Sequence, residues 1–264
     1  MVDSSSDATE AARVAAETAD VVVAVGGDGT VADVATGIFG STAALAIVPA
    51  GSTNITARSL SIPSQLTAAI AVLVGPHALR RIDLGRSAGR SFLHMAGAGF
   101  DAELFGAASP SLKRRLGWVA YLPAAASALR LAPSAVSLVI DGRTFEARSP
   151  LVLVANGNSA IAPALEIYPG IANDDGWLDV LIFTPSTPAQ IAATLASAGR
   201  RQLAHSPYVT SQRVKRVRID AEPSLSVELD GDVHGWTPRE FYVVPHGISI
   251  VTPIDRIPVE TASG

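Results

Sequence analysis

Residues 21–39 read VVVAVGGDGTVADVATGIF. Four valines in five residues form a strongly β-prone run, and three glycines set around Asp28 follow at once. Asp-Gly between apolar runs is a hairpin signal, but a hairpin needs a second strand after the turn. Here Val31, Val34, Ala35 and Ile38 recur at i, i+3, i+4 and i+7, which is one face of a helix. The turn therefore sits between a strand and a helix N-terminus, where backbone N–H groups and the helix dipole favour an anion. Glycines let the backbone approach phosphates with no Cβ in the way. The plainer alternative is an ordinary strand-to-helix turn with no ligand. No Lys-Ser or Lys-Thr follows, so this is not a Walker loop, and the spacing is not G-x-G-x-x-G.

Outward from this stretch, residues 7–19 (DATEAARVAAETA) read as a helix, and VVVAV as a strand buried on both faces, as parallel strands usually are. ALAIVPA (44–50) predicts a second buried strand, followed by the loop GSTN. SQLTAAIAVLVG (64–75) predicts a helix stopped by Gly75-Pro76. This alternation implies a parallel sheet of βαβ units. From about Arg81 the texture changes. RRIDLGRSAGRSFLHMAGAGF reads as two strands around a Gly-rich turn, and VSLVIDGRTFEA repeats the pattern around Asp141-Gly142. LVLVANG, GWLDVLIFT, RVKRVRIDA, LSVELDGD and REFYVVPHGISIV add short strands, interrupted by helices predicted at 111–130 and 188–203. The reading is an α/β domain over 1–80 and a mainly-β domain over 81–250.

Composition narrows the function classes. With 48% apolar and 17% charged residues, the chain is not disordered. A net charge of −4 lacks the basic footprint of a nucleic-acid binder. The absence of cysteine excludes disulfides, thiolate metal sites and a cysteine nucleophile, and is compatible with the cytosol. The opening MVDSSSDATE is polar and acidic, so no signal peptide is expected. No apolar run reaches the roughly 18 residues of a membrane span, so any membrane is met from the water side. GRSAG (85–89) fits the G-x-S-x-G hydrolase elbow, but a strand rather than a helix follows it, so a hairpin turn is expected. The five histidines, at 77, 94, 205, 234 and 246, show no metal spacing.

GGDGT resembles the signature shared by the diacylglycerol kinase catalytic family, with its sphingosine and ceramide kinases, and by NAD kinases and phosphofructokinases. Later segments favour the first of these. VPAGSTNITARSLSIP (48–63) is similar to the family segment P-x-G-T-x-N-D-F-A-R-x-L-G-I-P. IDLGR (82–86), FLHMAGAGFDAEL (92–104), LKRRLGWVAYL (112–122), DDGWLDVLIF (174–183) and VELDGD (227–232) resemble successive family blocks, in order. The nearest group is the bacterial soluble lipid kinase type. The fold this implies is a phosphofructokinase- or NAD-kinase-like α/β nucleotide domain followed by a β-sandwich-like domain, with a C-terminal strand at about 251–264 returning to the first.

The resemblance implies that Gly26, Gly27, Asp28, Gly29 and Thr30 hold the phosphates of ATP, with Asp28 near Mg²⁺. Ser52, Thr53 and Asn54 would line the same pocket. Asp101 matches an aspartate at the catalytic end of the cleft, with a loop or helix-capping aspartate as the alternative. Asp175, with the main-chain carbonyl of Trp177, matches a structural magnesium site, against an Asp-Gly turn as the alternative. Asp232 falls where the family proposes a glutamate as general base for a lipid hydroxyl. The implied activity is phosphorylation of a diacylglycerol-like or sphingoid lipid at a membrane surface by a cytoplasmic, peripheral protein, with a homodimer allowed. A non-catalytic lipid-binding relative and an NAD kinase are the alternatives.

Four departures from the family pattern stand out. Asp232 replaces the glutamate and is shorter by one C–C bond, about 1.5 Å, and a misplacement of that size can cost about 100-fold in rate. Ile55 follows Asn54 where the family has aspartate, and Ala160-Ile161-Ala162-Pro163 replaces a glycine run. The family also has two strands, a helix and an N-P-x-S-G loop before the last helix that precedes GGDGT. Only 20 residues precede VVVAV here, so the nucleotide domain is expected to be incomplete. In 111–130, Lys113, Arg114 and Arg115 stand beside Leu112, Leu116, Trp118, Tyr121 and Leu122, as in a membrane-surface helix or an ordinary amphipathic helix with snorkelling bases.

Overall fold

The valine run sets the first layer. The computed structural model describes residues 5–99, 133–157 and 168–254. Helix α1 (Ser5–Ala15) leads into β1 (Val21–Gly26), α2 (Asp28–Ile38) and β2 (Ala44–Pro49). β1 and β2 pair in parallel from Val21 opposite Ala44 to Gly26 opposite Pro49. The loops that leave them, GGDGT and AGSTN, therefore emerge at the same sheet edge.

Ala12, Val22, Ala24, Val31, Ala35 and Ile38 join α1, α2 and β1 in one apolar core. After the short α3 (Ile55–Ser59), α4 (Leu66–Val74) covers the opposite face, with Val72 and Leu73 against Ala44, Ala46 and Val251. Burial on both faces holds for β2, all of whose residues are buried. It fails for β1, the edge strand, where Val23 and Val25 are exposed; on that face α4 packs over β2 and the strand on its far side, Arg239–Thr252.

β3 (Ala78–Ser87) and β4 (Arg90–Phe92) form a hairpin whose turn residues Ala88 and Gly89 both have positive φ. GRSAG is thus a hairpin turn. β3 spans residue 80, the position at which the sequence changes texture. It pairs with β14 (Arg239–Thr252), which also pairs with β11 (Arg216–Glu222) and reaches β2 in parallel, Ile250 opposite Leu45. β6 (Ser134–Ile140) and β7 (Arg143–Ser149) turn at Asp141-Gly142 and complete the sheet, in the order β1-β2-β14-β11-β6-β7. The strand returning to the first layer is therefore the end of β14; residues 255–264 lie outside the described residues.

The second sheet is antiparallel throughout. It contains β5 (Met95–Ala98), β8 (Leu151–Ala155), β9 (Leu178–Phe183), β10 (Val209–Val214), β12 (Ser226–Leu229) and β13 (Asp232–Trp236), in the order β10-β9-β8-β5-β12-β13. Its inner face meets the first sheet in one core: Val152, Val154, Val180 and Val227 pack with Phe92, Leu138, Ile219 and Phe241. Each such side chain contributes about 1.5–3 kcal/mol by leaving water. Helix α5 (Pro188–Gly199) covers the outer face through Ile191, against Leu181 and Phe183. Proline at its first position and the Thr187 hydroxyl, which accepts the Gln190 N–H at 3.3 Å, start that helix.

RVKRVRIDA is two strands rather than one. β10 ends at Val214 in the second sheet, β11 begins at Arg216 in the first, and Lys215 is the crossing residue. The apolar alternation slips by one residue at the crossing: Val214 and Val217, three positions apart, both lie in the shared core. The architecture is a mixed α/β sheet layer followed by an antiparallel β-sandwich-like domain.

Candidate active site

The GGDGT and AGSTN loops are joined by named bonds. Gly27 caps α2 with extended backbone and no side-chain cap bond. It lies so close to Gly51 that a Cβ at position 27 would stand 3.3 Å from the Gly51 Cα. The Ala50 N–H donates to the Gly26 carbonyl at 2.9 Å. Asn54, buried with left-handed backbone (φ 51), holds its loop closed: its Oδ1 accepts the Gly51 N–H at 2.9 Å and its Nδ2 donates to the Gly51 carbonyl at 2.8 Å. Asp28, the first residue of α2, reaches across, and its two oxygens accept the N–H groups of Ile55 and Thr56 at 3.0 Å each. One carboxylate thus fixes the second loop against the first.

The sandwich contributes the other wall. The carboxylate of Asp232, at the start of β13, occupies the space that a Cβ on Gly29 would need. The hairpin carrying it is anchored by Asp230, whose carboxylate accepts N–H bonds from Leu93 (2.7 Å), His94 (3.0 Å) and Met95 (2.9 Å). The Asp230 N–H donates in turn to the Met95 carbonyl at 2.8 Å. Burial, and more weakly the negative charge of Asp28, push the Asp230 carboxyl up to about 7, against the three N–H bonds. Burial holds the His94 ring down to about 4, opposed by Asp28. On β13, His234 is held below the ordinary imidazole range, first by burial and then by the charge of Arg90, with Asp232 and Asp33 opposing. Arg90 itself pairs with Asp33 of α2.

Two buried side chains outside the predicted set tie the neighbouring backbone together. Asn156, fully buried, donates to the carbonyls of Asp83 (3.0 Å) and Leu93 (2.9 Å). Asp83, also fully buried, accepts the Gly176 N–H at 2.6 Å and the His246 N–H at 2.8 Å. The motifs IDLGR, VANG and LDGD contained Asp83, Asn156 and Asp230. A polar residue inside an otherwise apolar strand, or just past its end, is the signal that could have found them.

The predicted residues thus fall into two groups. Gly26, Gly27, Asp28, Gly29 and Thr30, the loop of Ser52, Thr53 and Asn54, and Asp232 are brought together around the start of α2, through the Gly27–Gly51 approach, the Asp28 bonds and the Asp232 carboxylate beside Gly29. The contacts of Asp175 and Trp177 run instead to each other, to Arg213 and, from the Trp177 ring, to Lys215. Burial raises the Asp179 carboxyl nearby, with Arg213 lowering it and Asp175 raising it further. Asp101, the basic and aromatic stretch 111–130 and Ala160–Pro163 lie outside the described residues.

Residues 2–87 match the profile of the diacylglycerol kinase catalytic domain, and residues 94–252 match that of the YegS C-terminal NAD kinase beta sandwich-like domain. The chain belongs to the diacylglycerol kinase catalytic-domain family. A Bacillus subtilis family member, diacylglycerol kinase, is 31% identical over 95% of this chain and 84% of its own length. A Staphylococcus aureus diacylglycerol kinase is 29% identical over 97% of this chain and 82% of its own. A crystal structure of a diacylglycerol kinase from Bacillus anthracis shares the fold with a TM-score of 0.72 at 22% identity, over 95% of this chain and 83% of that one. The junction between the two family profiles, at 87–94, falls on the β3–β4 hairpin and the entry to β5, where Asp230 anchors the backbone.

Proposed function

We propose that this chain transfers the γ-phosphate of ATP to a hydroxyl of a diacylglycerol-like or sphingoid lipid. The single observation carrying this reading is the Asp232 carboxylate against Gly29, which sets a candidate base on the loop suited to phosphate. Uncapped N–H groups of the first turn of α2 and the helix dipole favour the phosphates there. Ser52, Thr53 and Asn54 border them from the second loop. Phosphoryl transfer depends on positioning and on stabilising spread negative charge, so fixing the two loops together through Asp28 is itself part of catalysis.

Each Asp28 oxygen accepts one N–H and keeps further acceptor capacity. That donor set fits the Mg²⁺ accompanying ATP, which when bound neutralises phosphate charge. Asp232 takes the proton of the lipid hydroxyl as its oxygen attacks, and the family resemblance gives Asp101 a part in the same reaction. The acceptor lies in a membrane, so the protein works at its surface from the aqueous, cytoplasmic side. No helix among the described residues is long and apolar enough to cross.

Incubation with γ-labelled ATP, Mg²⁺ and mixed micelles of diacylglycerol, with sphingoid base and NAD as parallel acceptors, tests this. Labelled phospholipid is expected, with unlabelled NAD. No labelled lipid from either lipid, or label on NAD alone, overturns it.

A further inference from the structure

The loop at residues 173–177, NDDGW, is bound to the first sheet at several points. The Asp83 N–H donates to the Asn173 carbonyl at 2.6 Å, and Asp83 accepts the Gly176 N–H. Arg80 pairs with Asp174 at 2.8 Å. Asp175 is committed on both oxygens: Oδ1 accepts the Trp177 N–H at 3.0 Å, and Oδ2 pairs with Nη2 of Arg213.

Arg213 serves a second carboxylate. It stands directly across the β9–β10 ladder from Asp179, and its Nε lies 3.7 Å from Asp179 Oδ1. The Asp179 side chain is 7% exposed, and its other oxygen is buried without a hydrogen-bond partner. The same guanidinium lies 5.9 Å from the Trp177 ring centre, and the Lys215 ammonium lies 5.0 Å from it. Two carboxylates and two protein cations thus meet around one indole.

A structural magnesium at Asp175 and Trp177 does not fit this arrangement. Mg²⁺ requires near-octahedral oxygen ligation and gives up its waters reluctantly. Here the oxygen of Asp175 left over from its turn already holds a guanidinium, and Lys215 adds a second positive charge nearby. Among the described residues no group of three His, Cys, Asp or Glu side chains could hold a metal. We propose that Arg213 is the resident cation of the Asp175 loop, so that protein charge takes the place of a structural dication. A half-exposed ion pair contributes little alone, but Asp179 is buried, and a buried charge left unpaired is costly. The proposal is independent of the kinase reading, because it concerns how the loop is held.

Thermal unfolding of the intact protein without nucleotide, in chelator and across a series of Mg²⁺ concentrations, tests it. The wild-type Tm should stay constant across the series. Arg213→Met should lower the Tm in chelator by about 4 °C or more. In that variant Mg²⁺ should restore stability saturably, because both carboxylates are freed, and adding Asp175→Asn should abolish the restoration. A saturable rise of the wild-type Tm with Mg²⁺ that Asp175→Asn removes would overturn the proposal, and so would an unchanged Tm for Arg213→Met in chelator. If Arg213→Met does not fold, the wild-type and Asp175→Asn titrations decide the matter alone.

Discussion

The carboxylate of Asp232 fills the place where a side chain at Gly29 would begin. Gly29 lies in the first turn of α2, where any residue can adopt the backbone. The demand for glycine there comes from Asp232, an element of the other domain. The GGDGT loop and the LDGD hairpin are therefore two halves of one surface, and the motifs are coupled through space.

Gly29→Ala should improve helix propensity by up to about 1 kcal/mol and yet lower kcat by about 100-fold, because it displaces the base. A double-mutant cycle with Asp232→Ala checks this. In the Asp232→Ala background, adding Gly29→Ala should cost almost nothing further. Additive losses would show that the alanine acts elsewhere in the loop.

Asp28→Asn should cost stability as well as activity. Both oxygens of Asp28 accept backbone N–H groups, so the amide NH₂ must face one of them in either rotamer. The expected loss is about 1–3 kcal/mol, read as a lower urea midpoint at unchanged slope. An unchanged midpoint would mean that the two loops are held together by other contacts.

Asn156→Ala should also destabilise by about 1–3 kcal/mol, since it strips a donor from two buried carbonyls, those of Asp83 and Leu93. Amide exchange at residues 93–95 should speed up in this variant. Protection equal to wild type there would remove Asn156 from the bracing of that backbone.

Asp230 and His94 give opposite pH dependences. The Asp230 carboxyl is raised from 3.8 to about 7, so between those values the folded state holds the extra proton and stability falls as pH rises. The His94 ring is lowered from 6.5 to about 4, so in that window the unfolded state holds the extra proton and stability rises with pH. In wild type the two slopes oppose each other. Asp230→Asn should leave a rise between about pH 4 and 6.5, and His94→Gln a fall between about pH 4 and 7. Unfolding midpoints across that range check the signs; slopes of the same sign in the two variants would contradict them.

The sequence made the strand, turn and helix around GGDGT legible because periodicity changes there within a few residues, from a valine run to an i, i+3, i+4, i+7 face. The hairpins at Ala88-Gly89 and Asp141-Gly142 were legible for a local reason too, since both turn pairs need positive φ. What escaped depends on distant partners. Exposure of Val23 and Val25 follows from where α4 lands, over β2 and β14 and short of the edge strand β1. The switch of sheets at Lys215 leaves only a one-residue slip in the alternation, from Val214 to Val217, and which sheet each half joins depends on distant partners. Ile250 meets Leu45 across some 200 residues of chain, and nothing local in either segment encodes that pairing. At the site, resemblance supplied Asp28, Asp232 and the loop glycines. The three N–H bonds of Asp230 and the Arg213 pairing depend on backbone positions that only the folded sandwich provides.

The most direct measurement is transfer of γ-labelled phosphate from ATP to diacylglycerol by the wild-type protein and by Asp232→Asn, which keeps size but loses the base. Wild type should label the lipid, and the variant should be slower by roughly 10²–10⁴-fold in kcat with its thermal unfolding unchanged. Equal rates in the two proteins, or no labelled lipid from wild type, would contradict the account.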